Sequence, residues 1–175
     1  MPDFAPLIDS HGRVHTNLRI SVTDRCNIRC FYCMPNENVR FKPRKELLTF
    51  EEIERFVRVV ARMGVCKLRL TGGEPLLHPQ IDEIVAGLVQ RRKYVYLCTN
   101  AILLKQHLHR FQPTKYLSFS IHLDGLCQEH DKAVCREGVF DIAIDAVKDA
   151  ISNNTYLTHD RLDIAVNRMI DEMIG

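Results

Sequence analysis

The chain predicts an α/β protein built on a parallel sheet. Three observations lead there: extended apolar runs alternate with segments of helical periodicity, turn residues separate them, and each polar motif follows directly on a predicted strand. Asn17 to Val22 is the first extended run. Thr49 then opens a helix, with Glu52 three positions on completing a capping box; Phe50, Ile53, Phe56, Val57, Val60 and Ala61 form its apolar stripe, and Gly64 ends it. Cys66 to Leu70 reads as the second strand, followed by a helix from Gln80 to Arg91. Tyr94 to Cys98 is the third, followed by a helix over Leu103 to Phe111. Tyr116 to Ile121 is the fourth, and a helix from Val139 to Ser152 closes the fourth strand-helix unit.

After Ser152 the pattern changes. Leu162, Val166, Met169, Ile170 and Met173 share one stripe, so the expected organisation is a core domain over 1–152 and a C-terminal amphipathic helix over 153–175. The fourth strand would then present an open edge, which this helix or a second copy of the chain must cover.

With 46% hydrophobic residues in 175, the chain can bury one sizeable core. Seven cysteines without a basic, apolar leader point to reduced thiols in the cytoplasm. No apolar run approaches the roughly 18 residues a membrane span needs. A net charge of +2 and few aromatics argue against a nucleic-acid surface. Locally, Arg40, Lys42, Arg44 and Lys45 cluster, and Arg13, Arg19, Lys67 and Arg69 lie near the motif segments. They form either a solvated loop or a positive rim for an anionic small molecule such as a nucleotide.

Chemistry concentrates in Cys26, Cys30 and Cys33, three thiols in one C-x3-C-x2-C loop with no fourth nearby in sequence. A four-iron cluster closed by four thiolates passes electrons, whereas three leave one iron free to coordinate a further molecule. Zinc is the rival, but a structural zinc needs a closed tetrahedral set and hence a distant fourth partner here. Further on, Gly72-Gly73-Glu74-Pro75 follows the second strand. Thr99-Asn100 follows the third, and Ser120, His122 and Asp124 lie at the end of the fourth. In parallel β/α proteins the carboxyl ends of strands carry the site. His107 and His109, two apart on a predicted helix, do not share a face. Cys66 and Cys98 read as small apolar strand residues, and Cys127 and Cys135 suggest no framework.

The cysteine spacing, with Tyr32 before the last cysteine, and the glycine block about 40 residues on resemble the signatures of the radical S-adenosylmethionine (SAM) enzymes. That resemblance implies a partial (β/α) barrel, normally of six units, of which about four are present here with the C-terminal helix. It implies a [4Fe-4S] cluster on Cys26, Cys30 and Cys33 that cleaves SAM to methionine and a 5′-deoxyadenosyl radical, with Tyr32, Gly72, Gly73, Glu74 and Ser120 as cofactor contacts. It also implies a reductant protein such as flavodoxin or ferredoxin.

Within that superfamily, residues 1–90 look most like the GTP cyclase of molybdenum-cofactor biosynthesis, the MoaA family. The likeness rests on Asn17 to Asn27, Cys33-Met34-Pro35, Leu47 to Ile53 and Lys67 to Leu70. It implies GTP contacts at Arg19, Lys67 and Arg69, with Thr99 a further substrate contact. Residues 94–141, through Tyr94 to Ala101, Phe119 to Gly125, His130-Asp131 and Glu137 to Asp141, resemble the hopanoid-biosynthesis HpnH family, which adds the adenosyl radical to an alkene. The cyclases carry, near their C-terminus, a second cluster on a C-x2-C pair and a later cysteine, and after Cys33 these 175 residues contain no C-x2-C pair. From another class, a noncatalytic metal-binding scaffold fits the same cysteines.

Overall fold

A computed structural model describes residues 4–34, 38–152 and 162–165. Five strands form a single sheet: β1 (Asn17–Ser21), β2 (Lys67–Thr71), β3 (Tyr94–Thr99), β4 (Leu117–His122) and β5 (Leu162–Ala165). All neighbours pair in parallel, in the order β1-β2-β3-β4-β5. Right-handed crossovers in an order that never reverses carry every connection to the same face, which is the winding of a barrel and not of a doubly wound sheet. The architecture is the expected partial (β/α) barrel.

The helices that cover that face are α1 (Phe50–Arg62), α2 (Ile81–Gln90), α3 (Leu104–His107), α4 (Cys127–Ala133) and α5 (Val139–Ser152). Helix α1 starts as its sequence dictates: the Thr49 hydroxyl accepts from the Glu52 N–H, and the Glu52 carboxylate accepts from the Thr49 N–H. Helix α3 is shorter than the Leu103–Phe111 expectation, because the chain tightens into a 3₁₀ turn at Leu108–Arg110. Helix α4 was not anticipated at all. No described helix is long and apolar enough to cross a membrane.

The C-terminal expectation changes. Leu162–Ala165 is a strand paired with β4 through Phe119↔Leu162 to His122↔Ala165, so β4 has a neighbour on each side and needs no helix or second copy as cover. The remaining residues of 153–175, including Val166, Met169, Ile170 and Met173, lie outside the described residues.

Alternation along the strands divides the sheet into two unlike faces. Ile20, Leu68, Leu70, Val95, Leu97, Phe119 and Ile121 are buried beneath Ile53 and Val57 of α1, Ile84 and Leu88 of α2, and Ala143 and Val147 of α5. The intervening residues point the other way and are nearly all polar: Asn17, Arg19 and Ser21; Lys67, Arg69 and Thr71; Ser118, Ser120 and His122. A parallel sheet covered on both faces would read as continuous apolar runs. Here the inner face is kept polar, and Arg19, Arg69, Tyr96 and Ser118 lie in register across it.

Candidate active site

A cavity of about 270 Å³ opens at the carboxyl ends of the strands, lined among others by Cys26, Cys30, Cys33, Gly72, Gly73 and Glu74. The loop carrying the cysteines leaves β1 and is held on three sides. The Val22 N–H donates to the Thr71 carbonyl (2.9 Å), and the Phe31 N–H donates to the Ala133 carbonyl at the end of α4 (3.1 Å). Ile28 packs with Val134 and Val139, against which Cys26 and Cys30 also lie. A turn closes the loop, with the Cys33 and Met34 N–H groups both donating to the Cys30 carbonyl at 3.0 Å. All three thiols are free, and burial pushes those of Cys26 and Cys30 above the ordinary thiol range.

The glycine block docks on this loop. The Gly73 N–H donates to the Thr23 carbonyl (2.8 Å) and the Glu74 N–H to the Arg25 carbonyl (2.7 Å). A Cβ on Gly72 would overlap the Thr23 carbonyl oxygen, and one on Gly73 would overlap that of Arg25. Both glycines border the cavity as expected, but what demands glycine there is the backbone of the cysteine loop.

Glu74 also has a different setting from the one its motif suggests. Its side chain is buried, with Oε1 accepting from the Leu76 N–H (3.0 Å) and the Thr99 hydroxyl (2.7 Å) and Oε2 from the Asn100 N–H (2.9 Å). Burial pushes its carboxyl above the usual range while these donors pull it back. The Thr99 hydroxyl is committed twice, since it also accepts from the Ala101 N–H (3.1 Å). Glu74 thus ties the end of β2 to the end of β3, and Asn100 passes the connection on through Nδ2 to Asn27 Oδ1 in the cysteine loop (2.8 Å). Glu74→Gln is expected to cost about 1–3 kcal/mol, because its amide must turn a donor toward one of these donors. Urea unfolding measures it, and an unchanged midpoint would refute this role.

On the far wall Tyr32, the expected adenine neighbour, is half exposed and gripped by β4. Its hydroxyl donates to Asp124 Oδ2 (2.7 Å) and lies 2.9 Å from His122 Nε2, which is 2.8 Å from Asp124 Oδ1. One proton arrangement satisfies all three contacts: Tyr32 gives its proton to Asp124, and His122 carries hydrogen on Nε2. Burial first, and then the Asp124 bond, push the Tyr32 hydroxyl far above its ordinary value, so it remains a donor. The Asp124 N–H donates to Nδ1 of the buried His130 (3.1 Å). Tyr32→Phe, which cuts this clasp, is expected to cost about 1 kcal/mol. It should also speed iron loss from a reconstituted protein to a chelator; equal loss rates would show the clasp to be idle.

The remaining expected contacts separate. Arg19 borders the cavity, whereas Arg69, its register neighbour on β2, and Lys67, exposed at the start of that strand on the same sheet face, do not. Arg69 stacks on Tyr96 at 4.9 Å. Ser120 is buried and does not border the cavity, but His122, two residues on, does. Cys98, expected to be an apolar strand residue, also borders it, with the Arg69 Nη1 group 4.0 Å from its sulfur.

Among the described residues no three His, Cys, Asp or Glu side chains converge as a single ion requires. Cys26, Cys30 and Cys33 border one cavity, and soft thiolate donors are the ligand type an iron-sulfur cluster takes. The model of the radical SAM superfamily matches residues 20–162, nearly the whole described sheet. The chain belongs to the radical SAM superfamily.

Among curated relatives of this radical SAM chain, a GTP 3′,8-cyclase from Listeria monocytogenes serotype 4b is 40% identical over 146 residues, 82% of this chain and 44% of its own. Molybdenum cofactor biosynthesis protein 1 of Mus musculus is 41% identical over 152 residues, 86% of this chain and 24% of that protein. The chain therefore spans less than half the length of these relatives. Matches this long continue well past residue 90, so the cyclase likeness is not confined to the first half, and these relatives lend no support to the hopanoid reading of residues 94–141. Streptococcus suis SuiB bound to S-adenosylmethionine superposes with a TM-score of 0.66 at 19% identity, covering 91% of this chain and 37% of SuiB, which supports the fold.

Proposed function

We propose that this chain binds a [4Fe-4S] cluster and SAM and performs radical chemistry on an anionic nucleotide, with GTP 3′,8-cyclisation as its nearest model and the cytoplasm as its setting. One observation carries the reading: the three-cysteine turn and the Gly72–Glu74 block meet backbone to backbone at a single cavity. When bound, the cluster supplies an electron that splits the SAM sulfonium into methionine and a 5′-deoxyadenosyl radical.

The chain's own residues divide the remaining work. Cys26, Cys30 and Cys33 hold the metal centre. Tyr32 and the backbone of Gly72 and Gly73 form walls against which SAM lies, and the buried Glu74, with three of its four acceptor sites taken by Leu76, Thr99 and Asn100, keeps that wall in place and has one site on Oε2 left for an ammonium group. Arg19, Lys67 and Arg69 offer cations on the polar sheet face. Arg19 and Lys67 have no ion-pair partner among the described residues, as suits groups reserved for a polyphosphate.

The test is anaerobic reconstitution followed by incubation with SAM, dithionite and GTP. Brown protein with iron and sulfide near fourfold stoichiometry and release of 5′-deoxyadenosine are expected; colourless zinc protein, or SAM consumed without 5′-deoxyadenosine, would overturn the proposal. Arg19→Ala should weaken GTP binding about tenfold, the worth of one charge-assisted bond, and leave iron content unchanged.

A further inference from the structure

A second cavity, of about 180 Å³, lies where the cysteine loop, the segment before α1 and the chain after the glycine block meet, and it shares no lining residue with the first. Thr23 comes from the first of these segments, Arg44 and Thr49 from the second and His78 from the third. No Asp or Glu lines it. Of the basic run that begins at Arg40, only Arg44 does.

The polar side chains of this cavity have hydrogens to give and little left to receive them. Thr23 Oγ1 accepts from the Arg25 N–H (3.2 Å) and Thr49 Oγ1 from the Glu52 N–H (3.3 Å), and each hydroxyl still has its own hydrogen to donate. His78 Nδ1 accepts from the Gln80 N–H (3.2 Å), which fixes the hydrogen of the neutral ring on Nε2. Burial, and then the charge of Arg44, hold this imidazole below its ordinary range, so the neutral ring is the form present at neutral pH. The residue is only 9% exposed, and its Nε2–H has no partner among the described residues. Arg44 likewise forms no ion pair among them. Arg25, which also lines the cavity, is engaged by Asp24 and the Lys42 carbonyl, and the Gln80 amide oxygen is the one side-chain acceptor left uncommitted.

We propose that Thr23, Arg44, Thr49 and His78 form a binding site for a phosphate group, free or carried by a small metabolite, separate from the cavity that the cysteines border. Donors supplied from three segments, with no carboxylate among them, take an anion, and their spread suits the several oxygens of a phosphate better than the two of a carboxylate. Thr49 is also the N-cap of the 13-residue α1, whose dipole favours negative charge at that end. Leu47, Leu48 and Leu77 supply apolar wall, beside which charge-assisted hydrogen bonds gain strength. A bound phosphate ties the start of the cysteine loop, through Thr23, to the end of the glycine block, through His78. The inference goes beyond the radical SAM reading, since it needs this cavity and not the metal centre.

The experiment titrates the anaerobically reconstituted chain with inorganic phosphate, read by calorimetry and phosphorus NMR, with chloride as the matched salt. One saturable site per chain is expected. Arg44→Gln and His78→Asn should each weaken it at least about tenfold, the worth of one charge-assisted hydrogen bond. Asparagine can keep an acceptor for the Gln80 N–H while removing the Nε2–H, and Arg44 is exposed, so Arg44→Gln should match the parent in melting temperature and iron content. GTP distinguishes the sources: if it displaces phosphate and Arg44→Gln weakens both, the site holds the phosphoryl tail of a nucleotide. If GTP leaves phosphate in place, the site takes the free anion. Absence of saturable phosphate binding, or binding that both variants leave unchanged, overturns the site. So does phosphate binding that Arg19→Ala weakens as much as Arg44→Gln does, since the anion would then lie in the first cavity.

Discussion

Cys30→Ala is expected to leave the anaerobically reconstituted protein colourless, with iron and sulfide near background, while the chain still folds. Cys30 sits at the centre of the thiol turn: its carbonyl accepts from both the Cys33 and Met34 N–H groups, bonds that a change of side chain leaves in place. Its sulfur is only half-buried, so alanine removes a ligand without opening a large void. The informative partner is Cys98→Ala. Cys98 borders the same cavity from β3, and if it closed the cluster as a fourth ligand its loss would also strip iron. Three-thiolate ligation predicts that Cys98→Ala keeps its full iron content and Cys30→Ala does not, as measured by iron and sulfide assay and absorption spectrum. Full iron in Cys30→Ala, or loss of it in Cys98→Ala, would overturn the ligand assignment.

The parts of this arrangement that were legible in the sequence are those set by local pattern. The Thr49 and Glu52 capping box, the alternation in Lys67–Thr71 and the spacing of the three cysteines each act within a few residues. The strand alternation held more than was taken from it: polar residues at every second position of β1, β2 and β4 already marked a sheet with one polar face, and His122 belongs to that face with Ser120. Other features depend on neighbours distant in sequence. Leu162–Ala165 is four residues that suit a helix or a strand, and pairing with β4 decides the outcome. Helix α4 is seven residues long with no side-chain cap to announce it. Glu74 meets Thr99 and Asn100 only because β2 and β3 lie side by side, and Tyr32 reaches Asp124 across 92 positions. The glycine block was readable as a motif, but the backbone it accommodates was not.

That backbone makes Gly73→Ala, like Gly72→Ala, a strongly disruptive change. An added Cβ would overlap the Arg25 carbonyl oxygen and stand 2.9 Å from the Cys26 Cβ. Neither neighbour is the free end of a flexible side chain: Arg25 is held by its carbonyl's bond from the Glu74 N–H, and Cys26 by its packing with Ile28. The loop must therefore lift from the end of β2, at the upper end of the about 1–3 kcal/mol that overpacking costs. Lifting it also moves Cys26 relative to Cys30 and Cys33, so iron content should fall with stability. Gly138→Ala is the control. Its φ of +79° penalises alanine, yet nothing lies within 4 Å of the new methyl, so it should cost only about 1–2 kcal/mol and leave iron content intact. Thermal unfolding with iron assay on both variants separates the two effects. A Gly73→Ala protein with full iron and parental stability would show that the glycine block does not hold the cysteine loop in place.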